Sequence, residues 1–219
     1  MDFTIIDKCI ILVAKRNSGK SVLLKYLVDC EKENFDKIFV ICPTESINHF
    51  YTTSGITTDE FVFDDYNEEM INKLIQKMTK ANEKKGLEGV KGGRLAAPLK
   101  RVLLILDDLI ADTNFHSSPS LKKLFARGRH CGISVIFTSQ YLHATSPLQR
   151  NNCDFILTGQ MNKYSLDILL QDFLTHISKK EFIKFYNKET KNYGFVVINN
   201  NSTKSDDINE VYGSITAPL

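Results

Sequence analysis

The chain has 219 residues, 42% apolar and 25% charged, which suits one α/β domain with a sizeable core. A formal net charge of +2 is too small for a general nucleic-acid binder, so any DNA contact falls to local clusters. The five cysteines (Cys9, Cys30, Cys42, Cys131, Cys153) form no C-x-x-C pair, which excludes an evident zinc or disulfide framework and suits a reducing compartment.

At the N-terminus no basic leader precedes an apolar core, and no apolar stretch reaches the length of a membrane span. The expectation is a soluble, intracellular protein without membrane insertion. Cys9-Ile10-Ile11-Leu12-Val13 is short, continuous and β-branched, the pattern of a strand buried on both faces. Val22, Leu23, Leu24, Leu27 and Val28 then recur at helical spacing. Between them lies Ala14-Lys15-Arg16-Asn17-Ser18-Gly19-Lys20-Ser21. A strand that turns into a helix through Gly-Lys-Ser is a phosphate cradle, because backbone N–H groups and the helix dipole converge on anionic oxygens. Residues Lys15 to Ser21 are therefore the nucleotide-binding candidates, with Lys20 on the β- and γ-phosphates and the Ser21 hydroxyl on Mg²⁺. The pattern G-x-x-x-x-G-K-[ST] asks for glycine where this chain has Ala14, so the turn must be built there with ordinary dihedrals.

Lys37 to Cys42 reads as a second buried strand, Thr44 to Thr58 as a polar loop, and Glu60 to Phe63 as a short edge strand. Asn67 to Lys80 places Met70, Leu74, Ile75 and Met78 on one helical face. Residues 82–101 are glycine-rich, basic and unpatterned, and read as an inserted flexible loop. Lys84, Lys85, Lys91 and Arg94 are candidates for sequence-independent phosphate contacts with DNA; a merely solvated connection accounts for them equally well.

Val102-Leu103-Leu104-Ile105-Leu106 ends in Asp107-Asp108. Ligands of open parallel sheets bind beyond the carboxyl ends of the strands, which brings Asp107 beside the phosphate loop as a Mg²⁺ ligand. Asp108 points elsewhere and is the candidate to polarise the attacking water. A helix from Pro119 to Gly128 leads into Arg127-Gly128-Arg129-His130, and Ile133 to Ser139 is a further buried strand with Gln140 at its carboxyl end. Pro147 to Asn152 reads as a turn and Asp154 to Thr158 as a strand. Lys163–Phe173 and Ser178–Asn187 read as helices, and Tyr193 to Ile198 as a last strand. The expected organisation is one domain over residues 1–198 followed by a polar, frayed tail over 199–219.

The phosphate loop, Leu-Ile-Leu-Asp-Asp, Arg-Gly-Arg-His-Cys-Gly-Ile-Ser and the strand ending Thr-Ser-Gln together resemble the FtsK/HerA superfamily of ring-forming, DNA-pumping ATPases. The likeness is nearest to the poxvirus-type genome-packaging ATPases of large DNA viruses and virophages, and spans about Ile10 to Leu170. It implies a P-loop NTPase fold of the RecA-like, additional-strand type: a mainly parallel central sheet flanked by helices. It also implies ATP hydrolysis with Mg²⁺ at Ser21 and Asp107, coupled to translocation of double-stranded DNA into a capsid. Catalysis would fall to Asp108, which stands where these motors commonly carry Glu, and to Gln140 at the sensor position. Arg127 and Arg129 match the region from which a ring neighbour's arginine enters the site, Arg129 being the preferred candidate. A basic helix end complementing the dipole accounts for the same arginines. The implied partners are DNA, further copies in a pentameric or hexameric ring, and capsid proteins. The implied location is the viral assembly site in the host cytoplasm and the virion. Two rival readings stand beside this one: a small-molecule kinase on the same fold, and a nucleotide-binding scaffold without turnover.

Overall fold

A computed structural model describes residues 3–90, 100–109, 115, 118–175, 177–202 and 207–218, with the backbone alone for 84–90. In it the continuous apolar runs become strands: β1 (Cys9–Val13), β2 (Lys37–Ile41), β4 (Val102–Asp107), β5 (Ile133–Ser139) and β6 (Phe155–Thr158). A two-residue strand, β3 (Val62–Phe63), forms one edge. The strands β7 (Gly194–Asn199) and β8 (Tyr212–Thr216) complete a sheet of order β3-β2-β4-β5-β1-β6-β7-β8. The first six strands in that order pair in parallel, and β7 and β8 antiparallel. Strand β5 is the additional strand, inserted between the phosphate-loop strand β1 and the acidic strand β4.

Alternate residues of each strand feed two cores. On one face Ile11, Val13, Leu104, Leu106, Val135 and Phe137 pack beneath the helix α5 (Pro119–Arg127), through Leu121, Leu124 and Phe125. On the other, Ile10, Leu12, Leu103, Ile105 and Ile136 receive Leu23, Leu24, Leu27 and Val28 of α1 (Lys20–Glu31). Each such side chain contributes roughly 1.5–3 kcal/mol by leaving water. The register then decides where chemistry collects: Val13 pairs with Ser139 and Thr158, and Asp107 with Thr138. The carboxyl ends of β1, β4 and β5 therefore form one edge.

Four sequence expectations need correcting. The segment read as a loop at 44–58 contains two one-turn helices, α2 (Glu45–Asn48) and α3 (Phe50–Thr53). Their organiser is Glu45, 4% exposed, whose carboxylate accepts from the N–H groups of Tyr51 and Thr52 at the open end of α3. The helix α4 (Glu68–Val90) continues through the start of the stretch read as a basic loop. Asn82 explains its anchorage: the side chain donates to the carbonyls of Lys100 and Cys131 and accepts from the Lys100 N–H, tying the helix to the amino-terminal ends of β4 and β5. Pro147–Asn152 is not a bare turn but a helix, α6, with Ser146 and Gln149 forming a reciprocal capping box. Two helices follow it, α7 (Lys163–Phe173) and α8 (Lys179–Glu189).

The fourth correction is the largest. The domain does not stop at residue 198, because α9 (Ile208–Val211) and β8 return the chain to the sheet. Val211 and Ala217 are buried, and the Tyr212 hydroxyl donates to the Phe173 carbonyl at 2.8 Å. The polar run from Asn199 to Asp207 conceals a strand that needs only a few apolar anchors at a sheet edge. Among the described residues no helix is long and apolar enough to cross a membrane.

Candidate active site

Ala14 is fully buried at the end of β1 and has no positive φ. Its N–H donates to the Ser139 carbonyl at 3.2 Å and that of Lys15 to Gln160 at 2.8 Å, which hangs the loop between β5 and the segment after β6. The methyl group that replaces the usual glycine hydrogen is accommodated by a second glycine: a Cβ on Gly159 would come within 2.9 Å of Ala14 Cβ. Further on, Asn17 (φ 58°) and Gly19 (φ 83°) are left-handed, so successive N–H groups curl towards one point. Helix α1 begins at Lys20 with no side-chain cap and no acidic residue in its first turn. Its unpaired N–H groups are thereby left for an anion.

Opposite this loop stand the carboxylates. A cleft of about 380 Å³ is lined by Lys15 to Val22 together with Thr44, Asn48, Asp107, Asp108 and Gln140. Asp107 accepts from the Thr138 hydroxyl on one oxygen and from the Cys42 thiol at 3.5 Å on the other. Both donors are neutral, and the carboxylate retains lone pairs for a further partner. Burial, and then the charge of Asp107, pushes the Cys42 thiol up to about 11; the same two causes raise the Tyr51 phenol.

Asp108 occupies a left-handed conformation (φ 54°), one of the few that asparagine and aspartate tolerate. Its Oδ2 accepts from Gln140 Nε2 at 2.9 Å, while Oδ1 is buried with no hydrogen-bond partner among the described residues. A buried carboxylate oxygen left without a donor is costly and calls for water or a cation. The hard oxygens of Ser21 and Asp107, which line the same cleft, likewise fit a Mg²⁺ ion. Gln140, read from sequence as a phosphate sensor, is thus engaged in orienting Asp108.

The arginines lie elsewhere. Arg129 donates to Asp154 at 2.9 Å; Asp154 is 1% exposed and also accepts from the Cys9 N–H and from Asn201. These groups sit at the amino-terminal ends of β1 and β6, the edge of the sheet opposite the cleft. In this chain Arg129 is thus engaged in an ion pair with a buried carboxylate. Arg127 makes no ion pair among the described residues and lines a separate cavity of about 520 Å³ with Ile75, Thr79 and Cys131. Of the DNA-contact candidates, Lys84 and Lys85 fall on α4 with side chains that are not described, and Lys91 and Arg94 lie outside the described residues.

Sequence reasoning missed the other wall of the loop. Gly19 packs against Tyr193 and Ala217: a Cβ there would lie 3.2 Å from Tyr193 Cβ and 3.3 Å from Ala217 Cβ. The paired glycines flanking this contact, Gly19 and Gly194, are the one signal that could have suggested close backbone approach.

Comparison with known proteins gives the family and the fold. The model of the family described as poxvirus A32 protein matches residues 6–212. The chain is 29% identical to uncharacterized protein 075L of Invertebrate iridescent virus 6, over 88% of this chain and 70% of that protein. It is 24% identical to uncharacterized protein 015R of Frog virus 3 (isolate Goorha), covering 90% of this chain but spanning only 58% of the relative. Among solved structures, the genome packaging NTPase B204 from Sulfolobus turreted icosahedral virus 2, in complex with AMP, superposes with a TM-score of 0.66 at 20% identity, over 97% of this chain and 98% of that one. The pCW3 conjugation coupling protein TcpA, with ATPγS, gives 0.59 at 15% identity over 97% of this chain and 60% of that one. At these identities the two structures share the P-loop ATPase fold with this chain.

Proposed function

The chain belongs to the poxvirus A32 protein family, and from that premise we propose that it is an ATPase that drives viral genomic DNA into a capsid. The observation that carries the reading is Asp108: an oriented carboxylate with one unsatisfied oxygen, facing a phosphate cradle across one cleft. The backbone of Asn17 to Lys20 and the Lys20 ammonium bind the β- and γ-phosphates of ATP. Asp108 Oδ1 accepts a hydrogen bond from a water and aligns it on the γ-phosphorus, while Gln140 fixes the carboxylate. Ser21 and Asp107 would hold Mg²⁺, which would supply charge neutralisation at the phosphates. Catalysis is then positioning and electrostatics, as phosphoryl transfer requires.

A ring completes the machine. Each nucleotide lies at an interface with a neighbouring copy in a pentamer or hexamer, and Arg127, with no ion pair among the described residues, is the arginine offered to the neighbour's site. Double-stranded DNA threads the channel and is gripped through its phosphates, without sequence reading. Lys84, Lys85, Lys91 and Arg94 supply candidate contacts. Capsid proteins are the docking partners, and the host cytoplasm, at the site of assembly, is where the motor works. Similarity to a viral genome packaging NTPase supports this reading over a small-molecule kinase, and the two carboxylates lining the cleft support it over a scaffold without turnover.

The test is steady-state ATP hydrolysis with and without long duplex DNA, with Lys20→Ala as the blank. Stimulation by DNA that vanishes in the blank is expected; turnover indifferent to DNA but responsive to a nucleoside would favour the kinase. Alanine at all four basic candidates should flatten the salt dependence of DNA binding, by roughly one unit of log–log slope for each phosphate no longer neutralised. An unchanged slope returns them to a solvated surface.

A further inference from the structure

Beyond Gly19, on the side away from Asp108, the phosphate loop borders a second cavity of about 460 Å³, lined by Asn17, Gly19, Val22, Tyr193, Ala217 and Pro218. Asn17, Gly19 and Val22 also line the phosphate cleft, so the two spaces adjoin across the loop. Their chemistry is opposite. The first space is ringed by lysine, arginine, aspartate and amide groups; the second by a tyrosine ring, a valine, an alanine and a proline.

Tyr193 is held there at a cost. Asn192 (φ 49°) and Tyr193 (φ 62°) are consecutive left-handed residues, a conformation that an aromatic residue rarely adopts. The next position admits only glycine, since a Cβ on Gly194 would lie 1.9 Å from the Glu189 carbonyl oxygen. The strain is locked by β8: the Ala217 N–H donates to the Tyr193 carbonyl at 3.0 Å. For all this constraint the side chain is not buried; Tyr193 is 47% exposed. A strained backbone that fixes an open aromatic ring beside a phosphate cradle is the arrangement of a ligand platform rather than of a core.

We propose that this cavity takes the base and ribose of the nucleotide, with Tyr193 as the face against which the base stacks. The inference rests on the phosphate reading of the adjoining loop and names the remaining half of the ligand. The wall offers little with which to read a base edge. Pro218 has no N–H, the Ala217 N–H is engaged with Tyr193, and Asn17 carries the lining's one side-chain amide. Stacking on an aromatic face is tolerant of base identity. The site therefore recognises a nucleoside triphosphate by its flat face and its phosphates, and accepts adenine and guanine alike.

Equilibrium titration of the full chain with ATPγS, GTPγS and inorganic tripolyphosphate tests this. Tyr193→Ala should weaken both nucleotides by about tenfold while tripolyphosphate binds within about twofold of wild type; Tyr193→Phe should bind all three normally. Tyr193→Asn removes the ring but suits the left-handed backbone, and gives the same result if the alanine variant does not fold. Nucleotide affinity unchanged in the ring-less variants overturns the platform, as does an equal loss of tripolyphosphate, which would make Tyr193 only a prop for the loop. A wild-type preference of about a hundredfold or more for ATP over GTP overturns recognition by the face alone. Lys20→Ala should weaken all three ligands. If wild type binds tripolyphosphate but the ring is immaterial, only the platform falls; if wild type binds none of the three, the phosphate reading falls and takes the platform with it.

Discussion

The two edges of the parallel sheet treat charge in opposite ways. At the amino-terminal edge charges are matched: Arg101 forks onto Asp7, while Arg129 and Lys8 converge on buried Asp154. At the carboxyl edge Lys15, Arg16 and Lys20 make no ion pair among the described residues, and there Asp107 and Asp108 accept only from neutral donors. Charges that hold a fold together are satisfied by the fold, whereas charges that serve a ligand are kept waiting for it. An active site can in this way be told from a structural network by what its ions lack.

If the contrast is sound, removing a charge at the carboxyl edge costs activity and spares stability, and at the amino edge the reverse. The largest effect should be on turnover. Asp108→Asn should lower kcat by about 10³-fold, of the order of a lost transition-state interaction, with a melting temperature unchanged or slightly raised. Full activity in that variant, measured by phosphate release, would remove Asp108 from the chemistry. Asp154→Ala, by leaving the buried Cys9 N–H without its acceptor and releasing Arg129 and Asn201, should cost about 3 kcal/mol in urea unfolding while nucleotide affinity of the folded fraction is unchanged. A smaller loss, about 1–3 kcal/mol, is expected for Gly159→Ala, whose new methyl group meets that of Ala14 and the Phe195 ring. Adding Ala14→Gly should restore part of it, and failure of that rescue would show that Ala14 is not what Gly159 accommodates.

The smallest effect is electrostatic. Cys42 rises from the ordinary thiol value of 9.0 to about 11 in the folded chain, through burial and the nearby Asp107. Its contribution to stability is complete below pH 9.0 and is lost as pH climbs through about 11, because only the unfolded thiol ionises in between. Unfolding midpoints measured across that window should fall, and fall less in Cys42→Ser.

Much of the carboxyl edge was legible in the sequence because its signals are local. A β-branched run, a Gly-Lys-Ser turn and an Asp-Asp strand end each announce themselves within about ten residues. What stayed hidden depends on partners distant in the chain. Ala14 looks like a defect until Gly159 is beside it, and Arg129 looks free until Asp154 is found. Strand β8 escaped notice because an edge strand shows weak alternation, and Tyr193 because its role lies in a neighbour, Gly19, far away in the chain. Period and propensity carry no information on such meetings; only topology does.

The place of β1 in the middle of the sheet has a consequence for how the protein comes into being. Cys9 pairs with Val135 and Ile10 with Phe155, and the loop that follows leans on Ser139, Gln160, Tyr193 and Ala217. During synthesis the phosphate loop leaves the ribosome well before everything that gives it shape, the last of which arrives with β8. Non-local pairing of this kind is slow to form and leaves apolar strands waiting. A nascent chain that still lacks β8 therefore carries the Gly-Lys-Ser motif without the Tyr193–Ala217 wall against which the loop packs.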